Sequence, residues 1–289
     1  MQSGFALFPS RRRMLAYGAM ALGGSATAGH GLFLERHWTE VTTTHLTPDL
    51  GPGGPKRLRL AVLTDFHYDP LCEGEFMEKV VAQTNAAKPD LILLLGDFVS
   101  DHPEPAAELL SILAKLKAPL GVRAVLGNHD CWRGPRQIAK ELHRNGIELL
   151  RNGLTRIRTA DGQLTVAGLD SAWGGRPDQL FLATLKTDER ALMAHHEPDY
   201  IDQLQPQWRD KIGLQVSGHT HGGQICAPGG VVLRKVSCGI NYTRGLYRIS
   251  PKTELYVSRG IGTVSIHARL FCRPEIAILE LTNSARLTA

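Results

Sequence analysis

The sequence has 289 residues, of which 43% are hydrophobic and 21% are charged. This composition is typical of a globular protein and argues against a disordered or fibrous chain. The net charge is +5, but residues 1–28 hold three arginines and no acid, so the rest of the chain carries +2 (5 − 3 = 2). A remainder so close to neutral predicts no nucleic-acid platform.

The first 28 residues resemble a bacterial twin-arginine export signal. Arg11, Arg12 and Arg13 precede a modestly apolar stretch and a small-x-small pattern at residues 26–28. The apolar stretch is shorter than the roughly 20 residues that a membrane span needs. We therefore expect a signal peptide, read by the twin-arginine translocase, that sends the protein to the periplasm or cell envelope. The alternative is an uncleaved leader that anchors the protein, with peripheral membrane association.

Residues 29–55 are predicted to be a linker, because residues 47–57 are rich in Gly and Pro. No later shift in composition or repeat divides the chain. We therefore expect one catalytic domain over residues 56–283, followed by a short tail at 284–289. The five cysteines lack any Cys-x-x-Cys spacing, so they predict neither a zinc–thiolate site nor a particular disulfide; they are Cys72, Cys131, Cys226, Cys238 and Cys272.

Strand and helix patterns alternate in the first half of this domain. Short apolar runs predict strands at residues 58–64, 91–95 and 122–126, with helices at 75–87 and 105–117 between them. Such alternation indicates an α/β layer. Later apolar runs predict further strands with fewer helices between them, at residues 164–169, 213–217, 255–258 and 276–281. A second, more antiparallel sheet is therefore expected.

Polar residues follow the first three predicted strands at the point where each strand ends. Asp65 and His67 follow the first strand, Asp97 the second, and Asn128 and His129 the third. Because the carboxyl ends of neighbouring parallel strands meet at one edge of a sheet, we expect these side chains to converge there. Two later apolar runs also end in histidines, which are His195, His196, His219 and His221.

Taken one at a time, these residues have ordinary explanations as turn, capping or surface residues. Together, two carboxylates, one carboxamide and four imidazoles form a donor set suited to Mn²⁺, Fe or Zn²⁺. Seven donors exceed the needs of one tetrahedral ion, so two divalent metal ions that share a bridging carboxylate fit the count. Two such ions would leave the site with a charge of about +2 (4 − 2 = 2), which attracts a phosphate anion.

Five short motifs, in this order, resemble those of the calcineurin-like metallophosphoesterases. They are Asp65-x-His67, Gly96-Asp97, Gly127-Asn128-His129-Asp130, His196-Glu197-Pro198 and Gly218-His219-Thr220-His221. The region 255–281 is similar to the bacterial YaeI/YkuE-type phosphodiesterase subgroup. The resemblance implies a four-layer α/β sandwich of two mixed β-sheets flanked by helices.

The resemblance also implies a role for each matched residue. One metal ion would be held by Asp65, His67, Asp97 and His221. The other would be held by Asp97, Asn128, His196 and His219, so that Asp97 bridges the two ions. His129 would be the catalytic group beside the leaving-group oxygen, as a proton donor or charge stabiliser. Asp130 is predicted either to orient His129 or to be a solvent-facing turn residue.

The spacing of the paired histidines suggests how they are presented. His219 and His221, two residues apart on extended backbone, would point the same way towards two neighbouring ions. Gly218, Gly222 and Gly223 would allow the backbone close to metal and substrate. Neighbouring strand residues face opposite ways, so His195 is expected to lie outside the site occupied by His196. Purple acid phosphatases carry a tyrosine ligand at the position of Ser100, which sets that subclass aside.

The residues and the resemblance together predict a binuclear metal-dependent phosphohydrolase of phosphodiesterase type. A hydroxide bridging the ions would attack a phosphoester or phospho-anhydride substrate, lipid-linked substrates included. Some relatives act as UDP-2,3-diacylglucosamine pyrophosphatases of lipid A biosynthesis, a reaction of the cytoplasmic face that an export signal disfavours unless the leader stays as an anchor. A third hypothesis is a non-catalytic, metal-stabilised envelope-binding protein. Arg244 and Tyr247 are candidate phosphate contacts, although a structural role explains them equally well.

Overall fold

The computed structural model describes residue 27 and residues 29–70 and 73–287. The predicted signal peptide therefore lies outside the described residues, apart from Thr27. Within the described part of the chain, no helix is long and apolar enough to cross a membrane.

Six strands form the first sheet, and all but one pair of neighbours run parallel. Their spatial order is β1 (Glu40–Leu46), β14 (Glu275–Thr282), β2 (Arg57–Leu63), β3 (Leu91–Leu94), β4 (Val122–Ala124) and β5 (Glu148–Leu149). Only β14 and β2 are antiparallel. Because β2, β3 and β4 are adjacent and parallel, the loops that follow them leave the sheet at one edge.

Three helices cover the outer face of this sheet. They are α1 (Gly74–Ala86), α2 (Ala106–Leu113) and α4 (Pro135–Arg144), and a shorter helix, α3 (Asn128–Arg133), begins at the end of the loop after β4. Apolar residues three or four apart on α1 face the sheet, as Met77 and Val80 do. They pack with Ile92 and Leu94, which occupy alternate positions of β3.

The second sheet is also mixed and packs against the inner face of the first. Its order is β12 (Gly245–Arg248), β13 (Glu254–Val257), β9 (Ile212–Ser217), β8 (Ala191–Ala194), β7 (Gln163–Gly168) and β6 (Gly153–Arg158). Leu60 and Leu93 from the first sheet meet Leu192 and Leu214 from the second in the core between the sheets. The fourth layer consists of 3-10 turns and a one-turn helix, at Gln179–Thr184, Pro198–Asp202 and α5 (Pro206–Arg209).

This architecture confirms the predicted fold. The predicted strands and helices are found within one or two residues of their expected bounds, except that α2 ends at Leu113 rather than at residue 117. The second sheet has two antiparallel pairings and the first has one, in agreement with the expected difference. A small hairpin of β10 (Cys226–Ala227) and β11 (Val231–Val232) follows the last histidine motif. The described cysteines are free thiols, namely Cys131, Cys226, Cys238 and Cys272.

The segment predicted as a linker is part of the fold. All seven residues of β1 pair with β14, and Leu46 and Leu50 are buried between the two sheets. The Gly- and Pro-rich run after β1 is a turn between two strands of the same sheet, with Gly51 in the left-handed region (φ 77°). Composition alone does not distinguish such a turn from a flexible linker, and the edge strand β1 has little apolar character to reveal it.

Replacement of Leu46 by Ala tests whether β1 stabilises the domain. The side chain is buried in the core between the sheets, so we expect Leu46→Ala to lower the free energy of unfolding by about 2–5 kcal/mol, as measured by urea denaturation. Leu287→Ala is the matched control, because Leu287 is 64% exposed and its loss should change stability by less than about 0.5 kcal/mol. Equal stability of the two variants would mean that the segment is dispensable.

Candidate metal centre

The ends of five strands bring the predicted ligands together. Loops after β2, β3 and β4 carry four of them, and loops after β8 and β9 of the second sheet carry three. All seven side chains are buried: Asp65, His67, Asp97, Asn128, His196, His219 and His221. The carboxyl edges of both sheets therefore face one another across a single cluster, as the strand-end pattern predicted.

One carboxylate oxygen lies at the centre of the cluster. Asp97 Oδ2 is 3.3 Å from His67 Nε2 and 3.2 Å from His196 Nε2. On one side, donor atoms of Asp65, His67 and His221 lie within 4.8 Å of one another, and on the other side so do those of Asp97, His196 and His219. Each of these two groups is part of one predicted ligand set, and a third group joins His67 and Asp97 to His129.

Three of the ligand atoms that face the cluster lack hydrogen-bond partners. Nε2 of His67, Oδ1 of Asn128 and Nε2 of His196 are fully buried and accept or donate no hydrogen bond. Unsatisfied buried polar atoms are rare and costly, so a group of them aimed at one point calls for a missing partner. Divalent cations satisfy carboxylate, amide and imidazole donors together, so the residues present fit the predicted metal ions.

The opposite ring nitrogens of the histidines are held in place. His67 Nδ1 is 3.0 Å from Ser100 Oγ, His196 Nδ1 is 2.6 Å from the carbonyl oxygen of Leu95, and His219 Nε2 is 2.7 Å from that of Ser237. A backbone carbonyl accepts only from an N–H, so His196 carries its proton on Nδ1 and His219 on Nε2. Their remaining nitrogens are left free to bind metal, which is the usual arrangement around metal-ligating histidines.

Most of the ligands have left-handed backbone. Their φ angles are 55° at Asp65, 43° at His67, 52° at Asp97, 72° at His219 and 50° at His221. This conformation is uncommon for residues with side chains and is concentrated at functional sites. The expected extended backbone through His219 and His221 is therefore wrong. Both histidines instead lie in a tight turn, which continues into a 3-10 turn at His221–Gly223.

Gly218 allows the His219 backbone to approach Asp65. A Cβ atom there would lie 2.5 Å from Asp65 Oδ2, and the next residue, His219, donates its N–H to both oxygens of Asp65. The other two predicted glycines have a different role. Gly222 and Gly223 have φ angles of 62° and 94° and pack against side chains behind the turn rather than against the cluster.

Two buried carboxylates lie at the centre of the cluster, so nearby positive charge stabilises it. Burial raises the pKa of Asp65, and the nearby charge of Asp97 adds to the shift. Burial alone would lower the pKa of His196, but the charge of Asp97, whose Oδ2 lies 3.2 Å from its Nε2, raises that pKa well above the ordinary value. A second proton on this imidazole would partly neutralise the carboxylates. A cation in the same place would do so more completely.

His129 lies at the edge of the cluster rather than in its centre. Its ring is only partly buried and stands 4.7 Å from the ring of His67, centroid to centroid. Nδ1 of His129 is 2.8 Å from the carbonyl oxygen of Ser100, which leaves Nε2 as the nitrogen able to meet a ligand. Ser100, noted in the sequence only for not being a tyrosine, thus orients both His67 and His129.

Asp130 has a role that neither prediction described. It is fully buried, so it is not a solvent-facing turn residue, and the contact that orients the His129 ring is made by Ser100. The carboxylate of Asp130 instead accepts hydrogen bonds from the backbone N–H groups of Asp97, Phe98 and Gly127. It joins the loop after β3 to the loop after β4. Burial, with the charge of Asp97, raises the pKa of Asp130 to about 7.

His195 and the candidate phosphate contacts lie outside the cluster. The His195 ring packs against Tyr200, and its Nε2 is 3.4 Å from Glu197 Oε2. Burial lowers the pKa of His195 to about 4, so the ring is neutral. Arg244 donates to the carbonyl oxygen of Gly230, and the Tyr247 hydroxyl accepts from backbone N–H groups. Both residues therefore make structural contacts.

Arg269 is an organising residue that no sequence pattern singled out. Its guanidinium is completely buried, without a carboxylate partner among its hydrogen bonds, and donates to the carbonyl oxygens of Gly262, Arg259, His221 and Cys272. It ties the C-terminal segment to the turn that carries His221. A lone arginine in an irregular segment has no local signature of burial, because the carbonyl groups it satisfies are distant in the sequence.

Substitution of Asp130 tests the connection between the two loops. Asp130→Ala would leave three backbone N–H groups without acceptors, so we expect a loss of about 2–5 kcal/mol in the free energy of unfolding and a lower content of bound metal. Asp101→Ala, at a side chain 74% exposed, is the control and should change neither quantity. Urea denaturation and elemental analysis measure the two effects; an Asp130→Ala protein as stable as the control would contradict this role.

Comparison with known proteins agrees with this geometry. The sequence profile described as "Calcineurin-like phosphoesterase" matches residues 58–223, which include all seven predicted ligands. The chain is 32% identical to the uncharacterized metallophosphoesterase YkuE of Bacillus subtilis, over 95% of this chain and 98% of that protein. It is 31% identical to phosphodiesterase YaeI of Escherichia coli, over 94% and 99% of the two chains. This chain therefore belongs to the calcineurin-like phosphoesterase family.

Proposed function

We propose that this protein is a binuclear metal-dependent phosphodiesterase of the cell envelope. The observation that carries the proposal is the position of Asp97 Oδ2, within 3.3 Å of one histidine from each predicted ligand set. A carboxylate so placed is suited to bridge two cations. The relative YaeI is named a phosphodiesterase, which supports diesters as the substrates of this protein.

The protein's own residues hold and orient the reacting groups in this proposal. Asp65, His67, Asp97 and His221 would bind one divalent ion, and Asp97, Asn128, His196 and His219 would bind the other. Two such ions, when bound, supply an acidified water as nucleophile and neutralise charge on the phosphoryl oxygens. Mn²⁺, Fe and Zn²⁺ all suit the oxygen and nitrogen donors. No thiolate belongs to the set.

His129 is suited to act on the leaving group. The ring is partly exposed, and its Nδ1–H donates to the Ser100 carbonyl, so Nε2 is the atom that would donate to the departing oxygen, in the doubly protonated form of the ring. Its backbone N–H also donates to Asp97 Oδ1, 2.9 Å away, which fixes its position relative to the ligand cluster.

Two other functions are distinguished from this one by substrate. A pyrophosphatase of lipid A biosynthesis would cleave a nucleotide-linked anhydride such as UDP-2,3-diacylglucosamine in preference to diesters. A non-catalytic envelope-binding protein would hold metal without turning over any substrate. A screen of phosphomonoesters, diesters and nucleotide-linked anhydrides with the metal-loaded protein separates the three.

Replacement of Asp97 by Asn tests the bridging role. We expect Asp97→Asn to bind fewer metal ions, as measured by elemental analysis, and to hydrolyse bis-p-nitrophenyl phosphate with Mn²⁺ more than about 100-fold more slowly, since even indirect partners of metal ligands contribute about 10- to 100-fold. Asp101→Asn, four residues away and exposed, is the matched control and should retain metal and activity. Full activity of Asp97→Asn would rule out the bridge.

His129→Ala separates chemistry from metal binding. Because His129 is assigned to the leaving group and not to the ions, the variant should keep the wild-type metal content and lose about 10²- to 10⁴-fold in turnover. Removal of metal by a chelator should abolish turnover, and added Mn²⁺ should restore it. A His129→Ala protein that loses metal as Asp97→Asn does would instead make His129 part of the ligand set.

Export is tested by changing the leader and locating the protein. Replacing Arg11, Arg12 and Arg13 by lysine keeps the charge but removes the twin-arginine pattern. We expect the wild-type protein in the periplasmic or membrane fraction and the lysine variant in the cytoplasmic fraction, as measured by immunoblotting. Recovery of both proteins from the cytoplasm would overturn the proposed localisation.

A further inference from the structure

Two half-exposed tryptophans stand side by side next to the candidate metal centre. Trp132, near the end of α3, is 45% exposed and Trp173, in the loop after β7, is 46% exposed. Their ring centroids are 4.9 Å apart at 77°, so the edge of one ring meets the face of the other. We call these two residues the tryptophan pair.

The tryptophan pair is joined to the site at both ends. The Trp132 ring is 5.2 Å from that of His129, and the Trp173 ring is 5.6 Å from that of His219, centroid to centroid. Four rings therefore form a continuous row from the candidate proton donor to a predicted ligand. Any organic group attached to a phosphoryl group bound at the cluster and directed towards this row would meet indole surface first.

The backbone on either side of Trp173 is fixed before any substrate arrives. The N–H groups of Ala172 and Trp173 donate to the buried carboxylate of Glu197, which directly follows His196. Gly174 packs so closely on Asn128 that a Cβ atom would lie 2.7 Å from its carbonyl oxygen. A rigid aromatic surface costs less to bind than a flexible one, because little conformational freedom is lost.

The two half-exposed indoles form one contiguous apolar patch beside the polar cluster. Aromatic side chains next to a few convergent polar groups are typical of ligand-binding sites, whereas singly exposed apolar residues need no such explanation. Indole rings bind flat ring systems by stacking, with a preference for offset or edge-to-face geometry. The T-shaped arrangement leaves ring faces available for such a partner.

We infer that the tryptophan pair binds a planar ring carried by the substrate's ester group, so that the preferred diesters bear an aryl group or a nucleobase. This inference rests on the proposed phosphodiesterase function and specifies its substrate class. Stacking of a base on an aromatic side chain contributes about 10- to 100-fold in affinity. The pair would therefore distinguish ring-bearing from simple alkyl phosphoesters while leaving the phosphoryl group to the cluster.

Isothermal titration calorimetry with phosphonates tests the inference without relying on turnover. The Mn²⁺-loaded full chain should bind phenylphosphonate about 10- to 100-fold more tightly than methylphosphonate. A nucleoside 5′-phosphonate tests the nucleobase as the source of the ring, and decylphosphonate tests a flexible apolar chain. Tighter binding of decylphosphonate than of both ring compounds would overturn the inference.

Variants that keep bulk but change ring character identify the residues responsible. Trp132→Leu and Trp173→Leu should lose most of the preference for phenylphosphonate, and the corresponding Phe variants should retain it, while the affinity for methylphosphonate and the metal content stay constant. Trp38→Leu is the matched control, because Trp38 is 52% exposed elsewhere on the surface. Equal weakening of all phosphonates in the Leu variants would show a structural role instead. Ring preference without turnover would contradict only the proposed catalysis, and turnover without ring preference only this inference.

Discussion

The close approach of two buried carboxylates, Asp65 and Asp97, is the constraint on which the rest of the site depends. Burying one unpaired carboxylate is costly, and a second one nearby adds repulsion. Nearby imidazoles, and backbone N–H groups such as those of His219 and His129, reduce this cost only in part. The cluster is therefore unfavourable in the protein alone and is suited to attract cations.

The fold supports this unfavourable arrangement with unusual backbone rather than with long helices. Five ligands have left-handed φ angles, and each lies in a loop that follows a strand. Such strain persists only where the surroundings over-determine the conformation. Asp130 and Arg269 supply that determination, since each is fully buried and binds backbone groups of several loops at once.

Much of the site could be predicted from the sequence because strand ends are visible in it. A short apolar run followed by Asp, Asn or His indicates both where a strand stops and which side chain it presents, and adjacent parallel strands then converge. The turn at His219 and His221 could not be predicted this way, because alternation describes extended backbone and contains no information on φ. The glycine at 218 was the one local hint.

The other structural roles could not be predicted because they depend on contacts between segments that are distant in the sequence. Ser100 orients two histidines and Asp130 joins two loops, yet each looks like an ordinary loop or turn residue in the sequence. The tryptophan pair is equally hidden, because its members are separated by forty residues and meet only after β7 has joined the second sheet. Edge strand β1 could not be predicted from local sequence, because its partner is β14, the last strand that the structure describes.

The placement of β14 has a consequence for how the protein is made. This strand is last in the chain, yet it lies inside the first sheet, between β1 and β2. A ribosome delivers residues from the amino end, so the growing polypeptide would hold every donor side chain before it could close the sheet that carries the first of them. The sheet that positions the loops after β2, β3 and β4 can therefore be completed only once residue 282 has been made.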